Sequence, residues 1–203
     1  MTVESEIWGK NRASKKGGDL AVALVDPKYA HNVGAVVRAA SCFGVGQVWY
    51  TGNRIAMDLK KKKRLPREER MKGYKSVELV QFDYFFDEFE PDVIPVAVEM
   101  RPNAELLTEF DHPEKALYVF GPEDGSIQNV HRRHCHRFVV IPTRHCVNLA
   151  AAVNLVLYDR LAKRMRAGLE DIRCLADVIA EDRGMVSDRD DLGLVGKERR
   201  KDA

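Results

Sequence analysis

The sequence has no run of about 18 apolar residues, which excludes a membrane-spanning helix of the ordinary kind. Its first stretch, Met1 to Asp19, carries no apolar core of the sort a secretory leader needs, so no signal peptide is expected. Cysteine is scarce: Cys42, Cys135, Cys146 and Cys174 form no Cys-x-x-Cys pair. With no export signal, a reduced cytoplasm is the expected setting. An excess of one charge is missing too. The 33 Lys and Arg face 31 Asp and Glu, and the net +2 does not announce a nucleic-acid binder, so the distribution of charge must be read instead. There is no internal repeat. No Gly-x-Gly-x-x-Gly follows the first apolar run, which disfavours a Rossmann-type nucleotide enzyme. What remains is a chain of 203 residues, 45% hydrophobic and 32% charged. That is the size and balance of one folded globular domain with a short appendage, not of a disordered chain.

Leu20 to Val25 is a continuous apolar run stopped by Asp26-Pro27. It reads as a strand buried on both faces, as in parallel sheets. From Asn32 to Phe43, residues Val33, Val36, Val37, Ala40 and Phe43 fall on one helical stripe. Asn32 stands where an N-cap would, and Gly44 ends the helix. Further strands are expected at 48–50, 78–81, 93–98, 116–120 and 138–141. Short helical stretches are expected at 84–89 and 104–108. A long amphipathic helix, marked by Leu149, Ala152, Val153, Val156, Leu157 and Leu161, runs to about Arg166. Strands alternating with helices predict an α/β fold: a mainly parallel sheet with helices on both faces. Past Gly168, residues Ile172, Leu175, Ala176 and Ile179 offer one more helical face. Beyond Asp182 the chain is charged and poor in large apolar groups, and reads as a mobile tail.

Two clusters stand out by composition. Lys60, Lys61, Lys62, Lys63, Arg64, Arg67, Arg70, Lys72 and Lys75 are opposed only by Glu68 and Glu69. Such a stretch suits a phosphate backbone, and equally a solvated loop. His131, His134, His136 and His145 lie near Cys135 and Cys146. Their spacing matches no zinc pattern, and Arg132, Arg133, Arg137 and Arg144 oppose a cation, so no metal is expected. A basic edge with a buried Cys135 is the preferred reading.

Three segments carry more specific information. They are His31-Asn-Val-Gly-Ala-Val-Val-Arg38 running to Cys42-Phe-Gly44, then Phe120-Gly-Pro-Glu-Asp-Gly125, and last Ile141-Pro-Thr143 with Val147-Asn-Leu-Ala-Ala-Ala-Val-Asn154 and Leu157-Tyr-Asp159. In this order, each after a predicted strand, they resemble the three motifs of the SPOUT methyltransferases, in the TrmH/SpoU branch that methylates ribose 2′-hydroxyls of RNA. The third motif is most similar to that of the tRNA enzymes TrmL and TrmJ. The resemblance spans about Leu20 to Arg164.

The resemblance implies a SPOUT α/β knot, a sheet whose C-terminal part threads a deep trefoil knot, a known exception among folds. It implies S-adenosylmethionine as cofactor, held by Val98, Gly121, Ile141, Val147, Asn148, Leu149 and Ala152, largely through backbone groups. It implies a homodimer acting on RNA, with tRNA favoured over rRNA. Arg38, off the apolar stripe, takes the role of the motif-one Arg at the reacting ribose. It stabilises a forming alkoxide rather than removing a proton, because Arg stays charged. Asn32 orients the ribose or a loop, and Glu123 anchors Asn32 or the substrate. The plain readings stay beside these: Asn32 as a helix cap, Arg38 as a surface cation, Glu123 in an ordinary turn, Asn148 as the cap of the long helix. Ala150 stands where the family often has Ser, which keeps open a second reading, an RNA-binding SPOUT-like protein of weakened catalysis. Expected boundaries are 1–19 for a flexible segment, 20–166 for the methyltransferase domain and 167–203 for a helical, charged tail. Target selection is then left to the domain, its tail and the basic run Lys60 to Arg67.

Overall fold

A computed structural model of the chain describes residues 19–55 and 77–170. The basic run Lys60 to Arg67, the first 18 residues, and the chain from Ile172 onward lie outside the described residues. Contacts divide the chain into two units, Met1–Leu161 and Ala162–Ala203.

Within the first unit, seven strands form one sheet. They are β1 (Leu20–Leu24), β2 (Gln47–Tyr50), β3 (Glu78–Gln81), β4 (Ile94–Val98), β5 (Glu105–Leu106), β6 (Ala116–Phe120) and β7 (Arg137–Val140). Among the described residues the helices are α1 (Ala30–Cys42), α2 (Asn129–Arg132) and α3 (Leu149–Arg166), the last of which continues into the second unit. The strand order is β3-β2-β1-β6-β4-β7-β5, and every pairing is parallel. The central strands β1 and β6 are apolar on both faces, and almost every residue in them is buried. This is what a parallel sheet covered on both sides demands.

The two faces are covered differently. On one, Val33, Val36, Val37 and Ala40 of α1 and Leu149, Val153, Val156 and Leu157 of α3 pack on Val22, Leu24, Val96 and Tyr118. Burying each large apolar side chain there contributes about 1.5–3 kcal/mol before entropy is counted. On the other face, Trp49, Val119 and Ala97 meet Phe85, Ile127 and Cys135, with Phe82, Phe86 and Phe89 packed against them. The expected helix at 84–89 is therefore absent. Those residues form turns, closed by Glu88 N donating to the Phe85 carbonyl. Aromatic contacts with Trp49 override the helical spacing. The expected helix at 104–108 is also corrected. Glu105 and Leu106 form β5, held to β7 by pairing and by Arg137, which grips the Glu105 carboxylate.

Helix α1 begins earlier than expected. Tyr29 is the capping position and makes no side-chain cap hydrogen bond. Asn32 lies inside the first turn, so its reading as the N-cap is corrected. The end is as expected: Gly44 has φ +70°, and Val45 N donates to the Ala40 carbonyl at 2.8 Å. A Gly at that left-handed position costs no Cβ clash.

Helix α3 is tied down by polar groups that no periodicity shows. Buried Arg160 donates to the carbonyls of Pro113 and Glu114 at 2.7 and 2.6 Å. His112 lies between the Tyr118 hydroxyl and the Asp159 carboxylate. Burial pushes the Tyr118 phenol up, so it stays protonated. In the second unit, described over 162–170, Gly168 has φ +68° and Arg164 pairs with Glu170 at 3.0 Å. Among the described residues, no helix is long and apolar enough to cross a membrane.

Candidate active site

The C-terminal ends of β4, β6 and β7 converge with the start of α3 around a cavity of about 250 Å³. Ligands of open α/β sheets bind at that end, because the loops leaving neighbouring strands separate there. The cavity brings together Val98, Gly121, Ile141, Val147, Leu149 and Ala152, six of the seven residues expected to hold a cofactor. Asn148 does not line it. Glu123 does.

Gly121 is needed for a close approach, but to its own chain. A Cβ there would lie 3.0 Å from Ile127 N and 3.3 Å from Ile127 Cγ1. The absent side chain lets the 126–127 loop fold back as a cavity wall.

Beside the cavity, the three sequence segments are joined by one hydrogen-bonded chain. The Asn32 side chain, 4% exposed, donates from Nδ2 to Glu123 Oε1 at 2.6 Å. Its Oδ1 accepts from Asn148 Nδ2 at 3.1 Å. Asn148 Oδ1 accepts from Ala150 N at 2.9 Å and Ala151 N at 3.4 Å, so Asn148 caps α3. Glu123 Oε2 accepts from Lys28 N at 2.7 Å. Both Glu123 oxygens are thus engaged by donors, which suits an anchor and not a proton acceptor. Asn32 holds Glu123 on one side and the start of α3 on the other, so its geometry is that of a positioning residue.

The next residue, Asp124, accepts from Arg54 Nη2 at 2.7 Å and pairs with Lys28 Nζ at 3.0 Å. The Arg54 and Lys28 hydrogen bonds hold its carboxyl down to about 2. Arg54 also reaches Asp26, which sits at φ +44°. This cluster clamps the loop after β6 onto the ends of β1 and β2.

Arg38 is placed otherwise. It is exposed on α1, lines no part of the cavity, and makes no hydrogen bond or ion pair among the described residues. Its expected projection from the helix surface is what the structure shows. The structure does not bring it to the cavity of its own chain. Thr143 lines the cavity, but its hydroxyl donates to the His145 carbonyl at 2.8 Å inside its own loop.

The histidine cluster is dispersed. His131 is buried and stacked on Phe85, with ring centroids 5.3 Å apart, and burial lowers its pKa. His134 meets the Tyr84 hydroxyl at 2.8 Å. Cys135 is buried, as expected, and its thiol is pushed up to about 12 by burial and then by Glu99.

Sequence reasoning missed Glu99. It follows β4 directly, lines the cavity, and accepts from Ile127 N through Oε1 at 3.1 Å. Its Oε2 is buried without a hydrogen-bond partner. An acid immediately after a buried apolar strand was the available signal.

Comparison with known proteins agrees with this geometry. The family model described as SpoU rRNA Methylase matches residues 19–158. A tRNA (cytidine-2′-O-)-methyltransferase TrmJ of Methanocaldococcus jannaschii is 25% identical over 173 residues, covering 75% of this chain and 72% of that protein. Among solved structures, the TrmH/SpoU tRNA modifying enzyme of A. aeolicus superposes with TM-score 0.63 at 19% identity, over 82% of this chain and 86% of that one. The SpoU methyltransferase AviRb from Streptomyces viridochromogenes, in complex with the cofactor AdoMet, superposes with TM-score 0.57 at 18% identity. That match covers 72% of this chain, which spans only 61% of AviRb.

Proposed function

The chain belongs to the SpoU rRNA methylase family, RNA methyltransferases that use S-adenosylmethionine, and on that premise we propose that it methylates a ribose 2′-hydroxyl of RNA. The observation that carries the reading is the joining of Asn32, Glu123 and Asn148, one from each motif, into a single hydrogen-bonded chain at the cavity.

The residues present fit the cofactor. The cavity has apolar walls from Val98, Ile141, Leu149 and Ala152, and a further wall in the 126–127 loop that Gly121 admits by lacking a Cβ. Bound there, S-adenosylmethionine supplies an electrophilic methyl on a sulfonium. The work of the chain is to hold that group in line with an oxygen and to keep water away. Gly121, Ile141 and the Val147-to-Ala152 segment form the grip. Asn148 keeps the first turn of α3 in place by capping it. Asn32 and Glu123 lock the motif-one helix to the loop after β6, so the wall between cavity and substrate is rigid. Arg38 supplies a positive charge for the reacting ribose and its phosphate, and stabilises the forming alkoxide.

This reading includes a homodimer. Leu155 and Tyr158 stand on the face of α3 away from the core, 41% and 62% exposed, with Ala151 beside them. Arg38 lies outside the cavity of its own chain, which suits a site completed by a second copy. Sedimentation showing a fully active monomer at micromolar concentration would overturn this part. The trefoil knot belongs to the reading as well. It is supported by the position of β7 between β4 and β5: the connection from β5 to β6 passes β7 and β4, and the connection from β6 to β7 passes β4 again. Residues 20–166 are the methyltransferase domain in this reading, flanked by 1–19 and 167–203. The free thiols of Cys42, Cys135 and Cys146 support work in the cytoplasm.

As substrate, tRNA is favoured over rRNA, supported by the names of the TrmJ and A. aeolicus relatives. Lys60, Lys61, Lys62, Lys63, Arg64 and Arg67 are the proposed phosphate contacts. Nucleoside mass spectrometry of tRNA and rRNA after gene deletion tests the whole reading. Loss of one 2′-O-methyl nucleoside, restored by the purified protein with S-adenosylmethionine, is the expected result. Unchanged nucleosides, together with no S-adenosylmethionine binding in calorimetry, would favour the RNA-binding reading that Ala150 keeps open.

A further inference from the structure

Tyr29 and His31 hold two rings at the surface where the chain enters α1. Tyr29 is 42% exposed and His31 is exposed as well, so the pair is open to solvent. The ring centroids lie 5.4 Å apart with 26° between the planes, a stacked arrangement. Helix caps are normally Ser, Thr, Asp or Asn, whose side chains bond the first turn. Tyr29 occupies the cap and makes no such bond, so an exposed aromatic stands where a stabilising residue would. The backbone beneath the pair is fixed. Lys28 N and Asn32 Nδ2 donate to the two carboxylate oxygens of Glu123, and the Tyr29 carbonyl accepts from Asn32 N at 3.1 Å. The pair is therefore pre-ordered beside the hydrogen-bonded chain of the site, and neither ring lines the cofactor cavity.

Helix geometry adds a second relation. His31, Ala35 and Arg38 follow one another at four- and three-residue steps and share one face of α1. His31 and Arg38 are exposed there, with the small, half-buried Ala35 between them. Two helical turns separate the two, about 10 Å along the axis, which matches the rise of about three stacked nucleotides. Helix α1 carries no acidic side chain and no exposed large aliphatic one, so it neither repels phosphate nor offers what a protein partner would bury. Lys28 adds a cation, its Nζ 5.3 Å from the Tyr29 ring centroid and 3.0 Å from the Asp124 carboxylate.

We propose that the Tyr29–His31 pair is a stacking platform for an unpaired base of the RNA, within about three nucleotides of the ribose that Arg38 meets. This rests on the function proposed above. Every base has a π face, so the platform grips the strand without reading its sequence. It selects a loop or an unpaired stretch over continuous duplex, whose bases are stacked on one another and offer no free face. Because the pair and Arg38 lie on one helix, the platform accompanies Arg38 to whichever copy's cavity that residue serves.

Filter binding of unfractionated tRNA, and of rRNA, from a strain lacking the gene tests this, with the better-bound of the two as the probe. Tyr29→Leu keeps an apolar side chain and removes the π face, whereas Tyr29→Phe keeps the face. Tyr29→Leu should weaken binding about 5- to 150-fold, the range of one base stacked on an aromatic ring, and Tyr29→Phe should stay within about twofold of the wild type. His31→Ala leaves the cap position untouched and guards against a folding defect in the Leu variant. It should lose affinity in the same direction. All three should keep the wild-type salt slope, because no phosphate contact is removed, and the wild-type affinity for S-adenosylmethionine in calorimetry. Wild-type RNA binding by both Tyr29→Leu and His31→Ala would overturn the platform. So would a flattened salt slope, because the pair would then serve a phosphate. A Tyr29→Leu protein that sediments as a monomer where the wild type is a dimer would overturn it too, since the pair would then belong to an interface between copies. A wild-type protein that binds neither RNA would bring down the functional reading, and this assignment with it.

Discussion

Replacing Asn32 by Ala removes two hydrogen bonds at once, and the structure says how unequal they are. The bond to Glu123 is short, 2.6 Å, starts from a buried amide and ends on a carboxylate. Bonds to charged groups contribute about 1.5–3 kcal/mol. The bond to Asn148, at 3.1 Å, joins two neutral groups, and Asn148 is exposed. Water can replace part of it, so about 0.5–1 kcal/mol is a fair share. The sum is about 2–4 kcal/mol. In a unit of this size each kcal/mol shifts the melting temperature by about 2–4 °C, so Asn32→Ala should melt about 5–15 °C below the wild type. Chemical denaturation should show the same loss with an unchanged slope. Two controls locate the effect. Glu123→Ala should recover little extra loss in the double variant, giving a coupling of about 1–3 kcal/mol in a double-mutant cycle. Asn32→Asp should be at least as harmful as Asn32→Ala, because it sets one carboxylate against another. A loss under about 0.5 kcal/mol for Asn32→Ala, or simple additivity with Glu123→Ala, would refute the idea that this chain of bonds holds the site together.

Arg38→Ala should behave oppositely: stability and cofactor affinity within about 0.5 kcal/mol of wild type, and turnover lowered by about 100-fold or more, as measured by methyl transfer to RNA. Wild-type turnover would remove Arg38 from the mechanism. Gly121→Ala must push the 126–127 loop, because its Cβ would meet Ile127 N at 3.0 Å. It should cost about 1–3 kcal/mol in denaturation and weaken S-adenosylmethionine binding in calorimetry. Replacing Lys60, Lys61, Lys62 and Lys63 by Gln should weaken RNA binding for all sequences alike and flatten its salt dependence, with cofactor affinity unchanged. An unchanged salt slope in filter binding would assign the run to a solvated loop. Asp124 has its carboxyl held down to about 2 by Arg54 and Lys28, below its unfolded value near 4. Its pairing therefore stabilises the fold above about pH 4 and is lost as pH falls towards 2, and Asp124→Asn should melt with a shallower pH dependence across that window.

The sequence by itself determined where the main elements lie. Six of the seven strands and the helices α1 and α3 were legible because burial on a strand or a helix face leaves a local period in the chain. Leu20 to Leu24 must be buried on both sides to make sense, and Leu149, Val153, Val156 and Leu157 can share one face only as a helix. Gly44 was legible because a left-handed helix end admits few other residues. The residues gathered at the cavity were legible through resemblance in the order of three motifs, since each closes a strand at the same end of a parallel sheet. Tertiary structure decided the rest. Strand β5 exists because β7 offers it an edge, and two residues carry no period of their own. Phe82, Phe85, Phe86 and Phe89 have helical spacing, yet they cover Trp49 as turns, because packing against a distant strand outweighs local preference. Asn32 looked like a helix cap because caps are judged from neighbours in sequence, while its partners, Glu123 and Asn148, lie 91 and 116 residues away. Glu99 stayed hidden for a related reason. What marks it is a donor that the fold fails to provide, and a missing partner is visible only once every neighbouring group has been placed around it.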